Sequence, residues 1–335
     1  MIWSAAGLAT GAWLLSRLAT PRYSFGGKVI LITGGSRGLG LVLARRVYAE
    51  GGRLVLLARK PDELERARRE LGAEVLTMEC DLGDRSQIDH AVARAAAHFG
   101  RIDVVINNAG IIEVGPYAHM AREDYERAMA IHFWAPYHVT MAALPHLRRQ
   151  DEARIVNITS IGGKIAVPHL GPYCASKFAA VGFSDSLRAE LALERIYVTT
   201  VAPGMMRTGS HVNARFKGDH GAEFSWFAAG AGLPLLSMGA ERAAAAILQA
   251  AKRGQPFLGI PISTKLALAA NGIAPNITAR VLNVAARLLP RATNPSGDEL
   301  RSGWQSRAQS NVPPWMTQFA DRNIERNNES NGAST

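Results

Sequence analysis

Short unbroken apolar runs alternate along this chain with longer stretches in which apolar residues recur every third or fourth position. The runs are Lys28–Thr33, Leu54–Ala58, Val75–Glu79, Val104–Asn107, Arg154–Thr159, Tyr197–Ala202 and Phe257–Ile260. Runs of this length without polar alternation predict strands covered on both faces. The periodic stretches Leu39–Glu50, Pro61–Leu71, Ser86–Phe99, Glu123–Leu147, Tyr173–Leu193 and Glu241–Lys252 predict helices. Such alternation predicts an α/β fold, a doubly wound parallel sheet of about seven strands with helices on both faces. Ligands in such sheets bind beyond the carboxyl ends of the strands.

Both ends of the chain lie outside that alternation. Residues 2–16 carry no charge, and Arg17, Arg22 and Lys28 follow. Fifteen residues fall short of the roughly 20 that a membrane-spanning helix needs. We expect an apolar N-terminal helix that contacts a membrane through residues 1–20. Packing on the protein or a partner, and a cleaved signal, are the alternatives. Residues 275–289 place Ile277, Val281, Val284, Ala285, Leu288 and Leu289 at helical spacing between Pro275 and Pro290. Packing against the core or a second subunit is expected there, with a membrane-facing role as the alternative. From Ser330 onward the chain reads as a frayed tail. The expected division is 1–27, an N-terminal helix; 28–260, a catalytic domain; and 261–335, a C-terminal helical extension and tail.

Composition narrows the classes. Of 335 residues 47% are hydrophobic and 20% charged, enough for a substantial core and too apolar for a disordered chain. Cys80 and Cys174 are the two cysteines, too few for a disulfide framework or a structural zinc site, so no metal is expected and a reducing, cytoplasmic compartment is the simplest reading. The net charge of +10 comes from scattered arginines without aromatic interleaving, which argues against nucleic acid. It suits an anionic cofactor or the cytoplasmic face of a membrane.

The segment Thr33-Gly34-Gly35-Ser36-Arg37-Gly38-Leu39-Gly40 joins the first strand to the first helix. Glycines let backbone approach a pyrophosphate, and the helix N-terminus offers free N–H groups and a positive dipole. The second strand ends Leu57-Ala58-Arg59-Lys60, with no acid at the turn. A carboxylate there would hold the ribose hydroxyls of NAD and repel a 2′-phosphate. Arg37 and Arg59 can instead fork onto phosphate oxygens, which favours NADP(H).

The loop has TGxxxGxG spacing. Asn107-Asn108-Ala109-Gly110, Ser160, Tyr173-Cys174-Ala175-Ser176-Lys177 and Pro203-Gly204 follow in order. This set resembles the short-chain dehydrogenase/reductase family, from about Lys28 to Ile260. The resemblance implies a Rossmann-like fold and an NADP-dependent oxidoreductase of the carbonyl reductase or alcohol dehydrogenase type. It implies that Asp81, beside Leu82, contacts the adenine, that Asn107, Asn108, Ala109 and Gly110 line the cofactor cleft, and that Pro203, Gly204 and Thr208 border the nicotinamide. The two ends of the chain look similar to those of uncharacterised bacterial members and carry no substrate information.

Tyr173 and Lys177, four apart, share one helix face. A free phenol has a pKa of about 10, and a nearby ammonium should lower it. Ser160 precedes Tyr173 by thirteen residues and can steady the substrate oxygen as charge develops. The implied reaction moves a hydride from NADPH to a carbonyl carbon while Tyr173 protonates the oxygen. The resemblance implies that Lys177 also holds the nicotinamide ribose. Where the family usually has a catalytic asparagine, this chain has His132, within Ala130-Ile131-His132-Phe133-Trp134-Ala135-Pro136. Pro136 has no N–H, so the carbonyl of residue 132 is left free of its helix bond. The backbone of His132 is expected to keep a proton relay toward Lys177, the alternative being a helix residue packed near the cleft. Cys174 has no histidine placed by sequence to activate it as a nucleophile.

Met205–Gly239 is the substrate lid by position, with Met205, Met206, Phe216, Phe224, Trp226, Phe227, Leu233, Leu235, Leu236 and Met238. Ile161, Val167, His169 and Leu170 should form the opposite wall. An apolar, lipid-like or steroid-like carbonyl or alcohol is the expected substrate. A 3-oxoacyl thioester on a carrier protein, or a non-catalytic NADP(H)-binding role, is the alternative, as is packing of the lid residues into a core. The resemblance implies a homodimer or homotetramer through the alanine-rich stretches Ala128–Ala143 and Phe178–Ala192.

Overall fold

The computed structural model describes residues 23–232, 237–292 and 295–330. Residues 1–22 of the expected N-terminal helix, and Leu233, Leu235 and Leu236 of the lid, lie outside the described residues; residues 23–27 are not helical, and Tyr23 and Phe25 pack into the core, which corrects the expected boundary there. Seven strands form one sheet: β1 (Val29–Thr33), β2 (Arg53–Ala58), β3 (Leu76–Glu79), β4 (Val104–Asn107), β5 (Ala153–Ile158), β6 (Ile196–Pro203) and β7 (Phe257–Ile260). Their order is β7-β6-β5-β4-β1-β2-β3, and every pairing is parallel. The order reverses between β1 and β4, where a crevice opens at the carboxyl edge. Every residue of β1, β4 and β5 is buried, which explains their unbroken apolar runs.

Helices α1 (Gly38–Ala49), α2 (Pro61–Leu71), α3 (Arg85–Phe99), α4 (Arg122–Met129), α5 (Ala135–Leu147), α6 (Gly171–Leu191) and α8 (Ala240–Lys252) connect the strands, with α7 (His220–Gly232) inserted before α8. Two cores result. On one face Leu41, Val42 and Leu43 of α1 and Ala243, Ala244 and Ile247 of α8 pack on Ile30, Leu56 and Val156; on the other, Ile88 and Val92 of α3, Val139 of α5 and Leu187 of α6 pack on Leu31, Val105 and Val198.

The stretch Glu123–Leu147 is not one α-helix. A π-helical turn, Ala130–Trp134, joins α4 to α5, with Ala135 N–H bonded back to the Ala130 carbonyl. Pro136 falls in the first turn of α5, where its missing N–H is tolerated.

The lid is also more ordered than its sequence suggests. Met205–Arg207 pairs in parallel with Ser237–Gly239, and Arg215–Phe216 is sandwiched between Glu113–Val114 and Arg301–Ser302. Phe216, Phe224 and Phe227 form a third core with Val114, Val212 and Ile324. These three phenylalanines therefore pack the lid itself, which corrects the expectation that they face a substrate.

Beyond β7 come α9 (Ile262–Ile273), α10 (Pro275–Ala286), α11 (Gly303–Ala308) and α12 (Pro314–Arg326). Helices α11 and α12 pack on α7, so the C-terminal extension closes over the lid. The pair α9–α10 does not join the core. Ile277, Val281, Val284 and Leu288 are between 58% and 83% exposed, which corrects the expectation that this stripe is covered by the core.

Candidate active site

Ser160 follows β5 at the carboxyl edge and caps the short helical turn Ile161–Gly163, its Oγ accepting the Gly162 N–H at 3.0 Å. Across from it, α6 carries Tyr173 and Lys177. The Lys177 Nζ lies 5.8 Å from the Tyr173 ring centre, as the four-residue spacing requires. The phenol is buried, and the neighbouring Ser160 hydroxyl favours its ionised form. Burial works against that and pushes the phenol up to about 12. The ammonium does not lower it as expected, because Lys177 is itself desolvated. Its Nζ donates to the Ile158 carbonyl at 3.0 Å, and burial brings it down to about 7.

His132 is buried under this pair, its ring edge-on to Tyr173 with centres 5.3 Å apart. Its Nε2 accepts the Ile111 N–H at 3.1 Å, and its Nδ1 lies 2.7 Å from Ser176 Oγ. That hydroxyl donates its one proton to the Pro172 or Tyr173 carbonyl, each at 2.9 Å, so Nδ1 must carry a proton and donate to it. Burial, then the Lys177 charge, hold the imidazole well below its ordinary pKa, while the Ile111 contact works the other way. His132 is thus a neutral imidazole with both nitrogens engaged, tying the loop after β4 to α6.

The glycine loop is built by side chains from β1 and β4. Thr33 Oγ1 accepts the N–H groups of Asn108 and Ala109 at 2.9 and 3.1 Å, and Asn108 Nδ2 donates to the Thr33 and Gly34 carbonyls at 3.0 and 3.1 Å. Gly34 sits at φ +63°, with Ala109 only 3.0 Å from where a Cβ would project. A Cβ on Gly40 would collide with the Gly34 carbonyl, so glycine lets α1 start directly on the loop. Leu39 is buried beneath it. Gly110 lies beside His132 Nε2 and Lys177 Nζ, joining the two halves of the cleft. Asn107 does not line the cleft: its amide donates to Thr140 and Asn157 at 3.2 and 2.9 Å in the interior.

Asp81 is exposed after β3 and accepts the Gly83 N–H at 2.9 Å, with Leu82 buried beside it. Cys80 is buried, and burial pushes its thiol up to about 11. Pro203 ends β6. Gly204 N–H bonds the Ile260 carbonyl at 2.7 Å, and Thr208, buried, accepts the Ser210 N–H at 3.2 Å.

Two features escape local sequence reading. The turn after β2 is not free of acid. Glu63, in the first turn of α2, reaches back to accept from Ser36 Oγ at 3.1 Å and Arg37 Nη1 at 3.3 Å, and pairs with Lys60 at 3.5 Å. Arg37 is therefore paired with an acid it shares with Lys60, while Arg59 stands exposed at the strand end. Glu63 follows Lys60 by three residues, and that helical spacing was the available signal. The other feature is Glu329, from the far end of the chain. Its carboxylate lies 3.3 Å from where a Cβ on Gly38 would project and accepts the Gly209 N–H at 2.6 Å. Nothing local to the glycine loop could have revealed it. Gly38 thus presents bare backbone to an anion at the N-terminus of α1, so the residues here fit the phosphate end of a dinucleotide.

A doubly wound sheet thus carries a glycine-rich anion cradle and a Ser-Tyr-Lys cluster at its carboxyl edge. The chain belongs to the short chain dehydrogenase family, whose model matches residues 28–217. It is 41% identical over 196 residues to "Dehydrogenase/reductase SDR family protein 7-like" of Anopheles gambiae, covering 56% of this chain and 62% of that one. It is 37% identical over 195 residues to "Dehydrogenase/reductase SDR family member 7B" of Bos taurus, covering 56% and 60%. The matches thus span less than two thirds of either relative. Among solved structures, a short-chain dehydrogenase from Streptomyces avermitilis superposes with TM-score 0.69 at 26% identity, over 79% of this chain and 99% of that one. A 3-ketoacyl-(acyl-carrier-protein) reductase from Brucella melitensis, solved with NADH, superposes with TM-score 0.63 at 25% identity, over 71% and 98%.

Proposed function

We propose that this protein is an NADP(H)-dependent carbonyl reductase acting on an apolar, lipid-like or steroid-like substrate. The observation that carries the reading is the Ser160–Tyr173–Lys177 cluster, with Tyr173 and Ser160 meeting beside Gly162 and Lys177 on the same face of α6. When bound, the dinucleotide supplies the hydride that the carbonyl carbon receives. Tyr173, held protonated by burial, gives its proton to the carbonyl oxygen, while Ser160 donates a hydrogen bond to that oxygen. A phenol kept neutral suits reduction. Lys177, near its titration point, returns a proton to Tyr173 and holds the ribose. The backbone of residue 132 completes the relay, since both His132 ring nitrogens are engaged.

Arg59, exposed after β2, and Arg37 receive the 2′-phosphate. Because Glu63 offsets Arg37, Arg59 carries most of the preference for NADP(H). Asp81 and Leu82 meet the adenine, and Pro203, Gly204 and Thr208 the nicotinamide. The substrate wall is Ile112, Val167, Met205 and Trp226, partly buried on the lid core. A 3-oxoacyl thioester remains the second reading, favoured by the likeness to the Brucella enzyme.

The aromatic cluster of Phe133, Trp134, Tyr137 and Phe183, with Trp134 49% exposed, supports a homodimer through α5 and α6. Among the described residues no helix is long and apolar enough to cross a membrane.

The deciding experiment follows oxidation of NADPH, and of NADH, against hydrophobic ketones, steroids and 3-oxoacyl thioesters. Turnover of an apolar ketone with NADPH supports the reading. Turnover confined to thioesters moves it to the second, and a preference for NADH removes the role of Arg59.

A further inference from the structure

Residues 327–329 leave α12 and enter the phosphate end of the cleft. The Asn327 carbonyl accepts the Gly38 N–H at 2.9 Å, and Asn327 Oδ1 accepts from Arg45 at 3.1 Å. Asn328, in the left-handed region at φ +59°, donates to the Ser36 and Glu63 carbonyls at 2.8 and 2.9 Å and accepts from Arg66 at 2.5 Å. Glu329 is 4% exposed and fills the gap between Gly38 and Gly209, with Asn213 Nδ2 3.5 Å away. Free N–H groups at a helix N-terminus are what an anionic ligand needs, and here the chain's own tail takes the Gly38 N–H and sets a carboxylate beside it.

We propose that Asn327-Asn328-Glu329 is an internal plug that competes with the dinucleotide, so that cofactor binds only when the tail has withdrawn. The idea rests on the dinucleotide reading above. Its reach is set by population: an affinity measured on the whole protein is the intrinsic affinity reduced by the fraction of tail-out molecules.

The test measures NADPH affinity of the full chain, of Glu329→Ala and of Asn328→Ala/Glu329→Ala by nicotinamide fluorescence, and amide exchange at residues 327–329 with and without NADPH. Affinity should rise by about tenfold in the double variant, and wild-type tail amides should exchange faster when NADPH is added. Unchanged affinity in the variants, or slower tail exchange with NADPH, overturns the plug and leaves the dinucleotide reading standing. Absence of NADPH binding in wild type and variants alike overturns both.

A separate observation concerns the surface. On α9, Ile262, Leu266 and Ile273 are 65–86% exposed on one face. Ile277, Val281, Val284 and Leu288 continue the stripe along and just beyond α10. Between residues 262 and 292 the charged residues are Lys265, Arg280, Arg287 and Arg291, all exposed, without one acid. By helical geometry Lys265, Arg280 and Arg287 flank the stripe, where long side chains can bury their stems and keep their charge in a headgroup layer. A two-fold contact with a second copy would bring these cations together with no carboxylate of the pair to answer them. The pair is rooted at the active site, since Thr264 packs on Gly204 and Asn271 donates to the Lys164 carbonyl at 3.4 Å, just after Ser160.

We infer that α9 and α10 dock on an anionic lipid surface, beside the cleft mouth. Cys80 and Cys174 are buried, so Val284→Cys can be labelled selectively with a polarity-sensitive dye in the full chain. Vesicles containing phosphatidylglycerol should shift its emission to the blue. The change Lys265→Glu/Arg280→Glu/Arg287→Glu should weaken that binding at least about tenfold. Emission indifferent to vesicles, or a shift that follows protein concentration without lipid, overturns the inference.

Discussion

The two ends of the cleft are held in different ways. At the catalytic end, Ser160, Tyr173, Lys177 and His132 are fixed by contacts within the sheet and its helices, and hydrogen bonds to Ile158, Ile111 and Ser176 hold them in place. At the phosphate end, the glycine loop is equally well built, yet its Gly38 N–H is taken by the Asn327 carbonyl, and Glu329 takes the Gly209 N–H beside it. If the proposed chemistry and the proposed plug are separate, substitutions at one end should change turnover, and at the other affinity.

The largest break in that comparison comes from Tyr173→Phe. Removing the proposed proton donor should lower turnover by about a thousandfold, while dinucleotide affinity stays within about twofold because no phosphate contact changes. Turnover and a fluorescence titration on one preparation measure both. A parallel loss of affinity would mean that the two ends are coupled.

His132 separates structure from chemistry. Alanine there would leave the partly buried Ile111 N–H and the buried Ser176 hydroxyl short of a partner, at a cost of about 1–3 kcal/mol seen in denaturant unfolding. Asparagine can accept from Ile111 through its oxygen and donate through its nitrogen, so it should recover part of that stability. If the backbone of residue 132 carries the relay, His132→Asn should turn over at least as fast as wild type. Complete loss of turnover in that variant would assign the relay to the ring.

The sheet and the clustering of Ser160, Tyr173 and Lys177 are legible in the sequence because their signals are local. Unbroken apolar runs mark doubly covered strands, and Tyr173 and Lys177 share a helix face by spacing alone. What stayed hidden depends on contacts between distant segments. The π turn at Ala130–Trp134 hides because one extra residue in a helical turn barely disturbs the apolar period. The lid reads as an apolar segment, yet Phe216, Phe224 and Phe227 find their core only when Val114 and Ile324 arrive from elsewhere. Glu63 was in plain view, but its reach to Ser36 and Arg37 depends on how α2 sits against the loop. Glu329 lies 291 positions beyond Gly38, and no periodicity links them.

Lys177 gives a smaller effect. Its folded pKa of about 7 lies below the free value of 10.5. Between those values the unfolded chain holds a proton that the folded chain lacks, so this group makes stability rise with pH. The slope reaches at most about 1.4 kcal/mol per pH unit. Lys177→Met should lose that rise in unfolding measured across the same window. An unchanged slope would mean that Lys177 stays charged in the fold and meets an anion there.

The smallest effect belongs to the tail. Burial raises the Glu329 carboxyl from 4.5 to about 7; the Gly209 N–H and Arg37 oppose the rise, and Glu63 adds to it. The other charged groups nearby, Arg45 and Arg66, bond the neighbouring asparagines. A folded value above the free one means that docking gains its full contribution from this group below 4.5 and loses it as pH rises through about 7. The tail should therefore dock less firmly from roughly pH 6 to pH 8, and NADPH affinity of the full chain should improve a few-fold relative to Glu329→Gln. The comparison with Glu329→Gln cancels the titration of the ligand's own phosphate, which both proteins meet alike. Parallel profiles would show that the carboxyl charge plays no part in releasing the tail, and the phosphate end would then differ from the catalytic end only in what fills it.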